Sequence, residues 1–500
     1  MRRPIAWLGV GIACVPLLLF AVAAALRPPR LAVPPQQTWI FRDVTLVEPG
    51  VAARPGETLR VAGGVVAGSA PDALEAPDLA GLFVTPGLID MHVHYPPRLA
   101  VGNVELWSLL LLAHGVTTVR ETGSIDGSIF EVREAIRSGD FPGPRLFACG
   151  AMLDGHPPSF PSNRVVTTPA EAEAAVEEQA AQGADCIKAY NMLRPEVLSA
   201  IRDAAARAGL PLIGHAPHAV PFEEAGLTDL QHGTGAVVID PATIGLLDFR
   251  SEDWVSVDAE RIAYVAGVSR ERGIAHTPTL VNGRMRRLLS DRGAEGVAAA
   301  DTGLRHLPRF WIDVWALLWE APFADPAGET LHQRFRERQA ALSAGLHAAG
   351  VRIHAGTDTL MPFVAPGSSL HGELAELEHA GLAQEAVWRL ATREAGESLG
   401  LSRLGTLAPG APADLLFLRS DPSRELAALR DIEAVLADGR LYRRADLDAD
   451  LARFDAHFFG AVYQAVMDIA VRAMASSFAP EDELGDDPDP LLRGHRRYGR

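Results

Sequence analysis

Between residues 83 and 358 the apolar positions fall into short β-branched runs, separated by longer stretches whose apolar residues recur at helical spacing. Eight runs read as strands: Phe83–His92, Val116–Glu121, Arg145–Met152, Cys186–Tyr190, Pro211–Ala216, Asp229–Gly233, Ile274–Leu280 and Val351–Asp358. Their alternation with helices predicts an α/β fold with a parallel sheet, and eight strands suffice to close a (β/α)8 TIM barrel over residues 86–403. The helix after the third run is bounded at both ends: Thr168 caps it, Pro169 takes its first position, acids fill its first turn and Gly183 stops it. A tryptophan-rich stretch, RFWIDVWALLWE, precedes the eighth run. Its Phe310, Trp311, Trp315 and Trp319 read as core, with a roof over the pocket or a dimer contact as the alternative.

Outside the barrel the pattern changes. Residues 37–85 and 404–445 hold short strands, such as WIFRDVTLV and IEAVLADG, cut by Gly and Pro turns. Residues 446–478 carry the period of one amphipathic helix, and the polar stretch 479–500 reads as a disordered tail. At the other end, residues 1–28 combine Arg2 and Arg3, an unbroken apolar run from Ile5 to Leu26 and a basic, proline-rich exit. That is an export signal peptide or a membrane anchor: the run is long enough to span a bilayer at about 20 residues, while Ala21, Ala23 and Ala25 offer cleavage sites.

Polar groups with metal-binding chemistry stand at the ends of the barrel runs, where such a fold displays its catalytic groups. His92 and His94 alternate on one strand and therefore point the same way, as a pincer for one ion. His232 in LQHG and Asp358 in HAGTD end later strands, and in LIGHAPH either His215 or His218 can face inward. A second ion beside the first needs a bridging anion, because two divalent cations repel strongly in a low-dielectric pocket. No Glu lies near the fourth run, but Lys188 does. An ammonium cannot ligate a cation, so Lys188 would serve as a carbamate formed with CO2. Arg120, His156 and Tyr190 end or follow neighbouring strands and are expected to contact substrate, with Tyr190 on the same face as Lys188. Glu121, Asn282, Arg284 and His371 are expected on the same rim.

These motifs carry a resemblance. TPGLIDMHVH, GVTTVRETGS from Gly115, GADCIKAYNML from Gly183, the two later histidines, GTD at Gly356 and the closing LGTLAPGAPADLLFL from Leu404 occur in the order found in the amidohydrolase superfamily. Within it the chain resembles the imidazolonepropionase-like and Xaa-Pro dipeptidase-like group, from about Thr38 to Arg443. The resemblance implies that both chain ends pair into a small β-sandwich beside the barrel. It selects His215 over His218 and implies metal ligands His92, His94, Lys188, His215, His232 and Asp358. It implies two divalent ions and hydrolysis of a C–N amide bond, in a dipeptide or related small amide, by a hydroxide bridging the ions, with Asp358 as catalytic base. Zinc suits the nitrogen and oxygen donors, and manganese, iron or cobalt are also compatible. A cyclic amidase or lactonase of the same superfamily is the alternative, and a non-catalytic barrel scaffold is the alternative from another class.

Composition narrows the partners. A chain of 500 residues with 48% apolar content can build a barrel and an accessory domain, and a net charge of -17 argues against nucleic acid as a partner. A small-molecule or dipeptide substrate remains, with membrane contact only through the N-terminal segment if it is uncleaved; a homo-oligomer is compatible. The expected location is exported, periplasmic or extracellular. Cys149 and Cys186 fall in the third and fourth strands, and two cysteines make no disulfide framework, so they read as buried free thiols.

Overall fold

The computed structural model describes residues 26–70, 72–98, 100–237, 254, 257–316 and 326–477. Residues 1–25, which hold most of the expected export segment, Trp319 and the tail from Phe478 onward lie outside the described residues. The strands before and within the first half of the barrel are β1 (Trp39–Glu48), β2 (Val51–Ala62), β3 (Val65–Val66), β4 (Leu74–Glu75), β5 (Phe83–Pro86), β6 (Leu88–Val93), β7 (Val116–Glu121) and β8 (Arg145–Ala148). After them come β9 (Leu153–Asp154), β10 (Arg164–Val165), β11 (Ile187–Ala189), β12 (Leu212–Gly214), β13 (Asp229–Gln231), β14 (Ala275–Thr277), β15 (Leu415–Leu418), β16 (Ile432–Ala437) and β17 (Arg440–Arg443).

The barrel is drawn from two parallel arcs, β6-β7-β8 and β9-β11-β12-β13-β14. The expected third strand is split between them, because Gly150 turns left-handed (φ 80°) between β8 and β9. The expected eighth strand, Val351–Asp358, is not a regular ladder. Ile353 bridges His276 of β14 and Thr359 bridges Val93 of β6, while Met91 donates its N–H to the Ala355 carbonyl at 2.9 Å. The segment thus closes the ring, but Asp358 has φ 62° and cannot continue a strand. Helices cover the outside; the one at Pro169–Ala181 has the expected cap completed into a box, with Glu171 reaching back to the Thr168 N–H at 3.2 Å.

Both chain ends build the second layer, one mixed sheet in the order β17-β16-β15-β5-β1-β2-β3, with β4 beside β1. Strand alternation divides its side chains. Leu415, Phe417, Ala434 and Leu436 join Phe41, Val61 and Val84 in the sheet's own core, whereas Leu416, Leu418 and Val435 pack into the barrel's core.

Three expectations are corrected. Cys149 and Cys186 form a disulfide, with Cα atoms 4.4 Å apart: the parallel arcs bring the end of β8 beside the start of β11. The C-terminal amphipathic stretch is two helices, Arg444–Phe458 and Ala461–Ser477, interrupted at Gly460, a poor helix former. His371, expected at the barrel mouth, is buried elsewhere and faces the His114 carbonyl at 2.9 Å. The described tryptophans of the insertion are core: Trp311 packs on Trp107 at 5.5 Å and gives its indole N–H to Asn103 at 2.8 Å, and Trp315 packs on Phe363.

Candidate metal centre

Alternation along β6 and the residue after it places Asp90, His92 and His94 on one face. Asp90 is fully buried and ties that strand to the segment bearing Asp358: its Oδ1 accepts the N–H groups of His92 (3.1 Å) and Thr357 (3.0 Å), and its Oδ2 accepts the Thr357 hydroxyl (2.7 Å). Asp358 N donates to the His92 carbonyl at 2.7 Å, which fixes the two ligand-bearing segments in register. The result is a tight triangle. His92 Nε2 lies 3.2 Å from Asp358 Oδ1, His94 Nε2 lies 3.3 Å from the same oxygen, and the two nitrogens are 3.3 Å apart. His94 donates its Nδ1–H to the Gly123 carbonyl at 2.9 Å, so its Nε2 carries a lone pair. A tetrahedron drawn on metal bonds of about 2.0–2.1 Å has edges of about 3.3 Å, so the triangle fits one face of such a site.

His92, His232 and Asp358, all buried, together form a metal-binding cluster with ligand atoms within 4.8 Å of one another. The imidazoles of His92 and His232 lie 4.7 Å apart between ring centres; His215 continues the row at 4.9 Å and Tyr190 stacks on His215 at 4.2 Å. Their outer nitrogens are held: His215 Nδ1 faces Asn191 Oδ1 and His232 Nδ1 faces Thr279 Oγ1, both at 2.7 Å. Such partners set which ring nitrogen is offered to an ion. Strain collects here as well. His232 (φ 57°), Asp358 (φ 62°) and Thr279 (φ 51°) are all left-handed without being glycine.

Burial sets the protonation states a cation requires. Desolvation pushes the His92 and His215 imidazoles well below their ordinary value and His232 down to about 4, against the opposing pull of Asp358, a shift toward the neutral form that can ligate a cation. Burial alone would raise the Asp358 carboxyl, but His232 and His92 beside it hold it well below the usual carboxylate range. Lys188, 1% exposed, is pushed by burial down to about 7 against the opposing pull of Asp358.

Residues 83–442 match the model of the amidohydrolase family. The chain belongs to that family. No curated protein sequence matches it significantly. Among solved structures, this amidohydrolase is similar to a bottromycin amidohydrolase, at 29% identity over 87% of this chain and 93% of the other, TM-score 0.64. It shares its fold with a Xaa-Pro dipeptidase with bound methionine (20% identity, 81% and 100% of the two chains, TM-score 0.60). The same holds for the ochratoxinase of A. niger (20%, 82% and 96%, TM-score 0.58).

The amidohydrolase fold gathers the six expected ligand positions. Lys188 Nζ contacts Gln231 Oε1 of β13, across the intervening β12, and lies 5.8 Å from the centre of the Tyr190 ring. Arg120 does not reach the mouth as expected. Its Nε donates to the Met91 carbonyl at 2.8 Å and one terminal nitrogen pairs with Asp229, which also accepts from Thr277 and faces His354 at 3.0 Å. This guanidinium is 6% exposed and braces the barrel interior, because a buried charge is held where its counter-ion lies. His156 is exposed on the loop after β9, at a cis bond to Pro157. Of the other expected rim groups, Asn282 Nδ2 donates to Asp358 Oδ2 at 3.3 Å, Glu121 is buried 3.9 Å from His94 Nδ1, and Arg284 lies 4.0 Å from Glu376. Asp90, Asn191 and Thr279 were not foreseen. Only Asp90 had a signal in the sequence, its two-residue spacing from His92.

Proposed function

We propose that the chain is a binuclear metal-dependent hydrolase that cleaves the C–N amide bond of a dipeptide or related small amide. The observation that carries this reading is the triangle of His92, His94 and Asp358 with a buried lysine in the same chamber. His92 and His94 would hold one divalent ion and His215 and His232 a second, with Asp358 and a Lys188 carbamate completing the set. Zinc suits these donors. Carbamate formation requires a free amine, and a lysine held at about 7 by burial supplies one near neutral pH. Bound ions would acidify a water to a pKa of roughly 7 and polarise the scissile carbonyl. Asp358 takes the proton from the attacking water and returns it to the leaving nitrogen. Tyr190, stacked on His215, and His156 on the adjacent loop contact the parts of the substrate that flank the bond.

The dipeptide class follows the likeness to the Xaa-Pro dipeptidase, and amide cleavage the likeness to the bottromycin enzyme. Export through the N-terminal segment belongs to the same proposal, since a buried disulfide suits an oxidising compartment. No helix among the described residues is long and apolar enough to cross a membrane. Purified protein should contain divalent metal by elemental analysis and, once metal-loaded, release amine from members of a dipeptide library. Turnover of cyclic amides or lactones alone would replace the substrate class. Metal-free protein that takes up no ion would sink the hydrolase reading and favour a scaffold.

A further inference from the structure

Strand β14 gives no residue to the metal-binding cluster, yet the turn leaving it touches two residues that belong there. Thr279 Oγ1 lies 2.7 Å from His232 Nδ1 and 2.8 Å from the carbonyl of Pro278. A hydroxyl has one hydrogen to give and a carbonyl can only accept, so the hydrogen goes to Pro278 and the oxygen's lone pair receives the Nδ1–H of His232. That accounting puts the imidazole proton on Nδ1 and leaves Nε2 as the nitrogen with a lone pair. Three residues on, Asn282 donates to Asp358 Oδ2 at 3.3 Å, on the oxygen opposite the one that faces His92 and His94.

The backbone adds an independent observation. Thr279 is 1% exposed and sits at φ 51°, ψ 50°, left-handed geometry that a β-branched residue avoids. Pairing between β13 and β14 brings Gln231 opposite Thr277, and His232 donates its backbone N–H to the Thr277 carbonyl at 2.9 Å. The left-handed turn is what then swings the Thr279 hydroxyl back over the His232 ring instead of away with the following helix, Leu280–Ala300. Strain in such a place is kept when the surroundings gain from it.

We propose that the Thr279–Asn282 turn is a positioning clamp for the metal centre: Thr279 fixes the tautomer and ring of His232, and Asn282 turns the Asp358 carboxylate, so that each of these two ligands offers a lone pair to the centre. This rests on the reading that the cluster binds a divalent metal. Neither residue touches the ion or the reacting atoms, so their effect is on affinity and ligand field rather than on a chemical step.

The test uses Co2+ as the probe, with affinity measured by chelator competition on the metal-free full chain and geometry read from the visible absorption of bound Co2+. Thr279→Ser keeps the hydroxyl and should bind Co2+ as the unaltered chain does. Thr279→Val keeps the branched shape and removes the hydroxyl. It should bind about 10–100-fold more weakly, the usual cost of losing a partner behind a metal ligand, with a shifted spectrum. Thr279→Gly frees the backbone as well, and provides the same reading if the valine variant does not fold. Asn282→Ala should perturb the spectrum in the same direction. Unchanged affinity and spectrum in either hydroxyl-free variant overturns the clamp while leaving the metal centre standing. Failure of the unaltered chain to take up Co2+, with His92→Ala behaving identically, overturns the metal reading and the clamp with it.

Discussion

Asp358 and Lys188 sit in one chamber under opposite demands. The carboxylate must stay charged although burial opposes it, and His232 and His92 secure that. The proposed carbamate requires the amine to lose its charge, and burial, aided by the charge of Arg120, moves it in that direction. Asp358→Asn keeps an oxygen donor and loses the proton acceptor, so bound metal should largely persist while kcat falls by about 10² to 10⁴. Lys188→Ala should instead lower ion stoichiometry and activity together, and elemental analysis beside turnover separates the two. Two ions and near-normal turnover in Lys188→Ala would make that lysine structural. The pH dependence follows from the same burial. In the unfolded chain a lysine holds its proton to about pH 10.4, but in the folded apoprotein Lys188 holds it only to about 7. Between those values the unfolded state binds more protons, so the stability associated with this site grows as pH rises from about 7 toward 10 and is lost as pH falls through about 7. Urea unfolding of metal-free protein should show the stability of the unaltered chain rising relative to that of Lys188→Met over that range; a constant difference refutes the assignment. At this scale the strand-end residues were legible, because their types announce metal chemistry. Asn191 and Thr279 were not. An amide and a hydroxyl acquire meaning only from the imidazole that tertiary structure sets beside them.

At the scale of elements, periodicity located six of the eight barrel strands as single strands and missed the character of the third and the eighth. A hydrophobic pattern reports burial, and Val351–Asp358 is buried except for Arg352; it does not report that Asp358 turns left-handed and ends the ladder. The third strand failed for a similar reason, since Gly150 lies inside an otherwise apolar run. That break places Cys149 at the seam where the two arcs meet, and there it bonds Cys186, two residues before Lys188. Cysteine count could not reveal this, because pairing depends on which strands become neighbours. The bond closes a loop with a sequence separation of 37, for which chain entropy gives about 4 kcal/mol of stabilisation. The double variant Cys149→Ser, Cys186→Ser should therefore unfold at lower urea concentration, and reductant should weaken the unaltered chain but leave the variant unchanged. Equal midpoints for the two oxidised proteins would show that the bond contributes nothing to stability.

Over the whole molecule the two chain ends meet, and the boundary at residue 28 read from hydropathy falls inside a packed region. Leu26 is already partly buried against the core and its backbone is hydrogen-bonded to His457. Arg453 donates to the Arg30 carbonyl at 3.1 Å and Arg440 to the Pro34 carbonyl at 2.8 Å. Gly102, with φ 79°, sits between Pro28 and Phe458, and a Cβ there would lie 2.8 Å from Pro28 Cβ. Residues 26–34 are thus a strap across the C-terminal helix Arg444–Phe458, whereas the apolar run before them has the composition of an export segment. Hydropathy could not draw that line, because Leu26 is apolar in either role. The two readings of the boundary separate on truncation. Deleting residues 1–25 should leave metal content, turnover and the midpoint of thermal unfolding as they are, since no part of the barrel mouth is touched. Deleting residues 1–34 removes the strap and exposes the Phe458 face, so the thermal midpoint should fall while the intact metal centre still loads. If the shorter deletion already lowers the midpoint as far as the longer one, the segment before Leu26 is part of the fold and does not serve only for export.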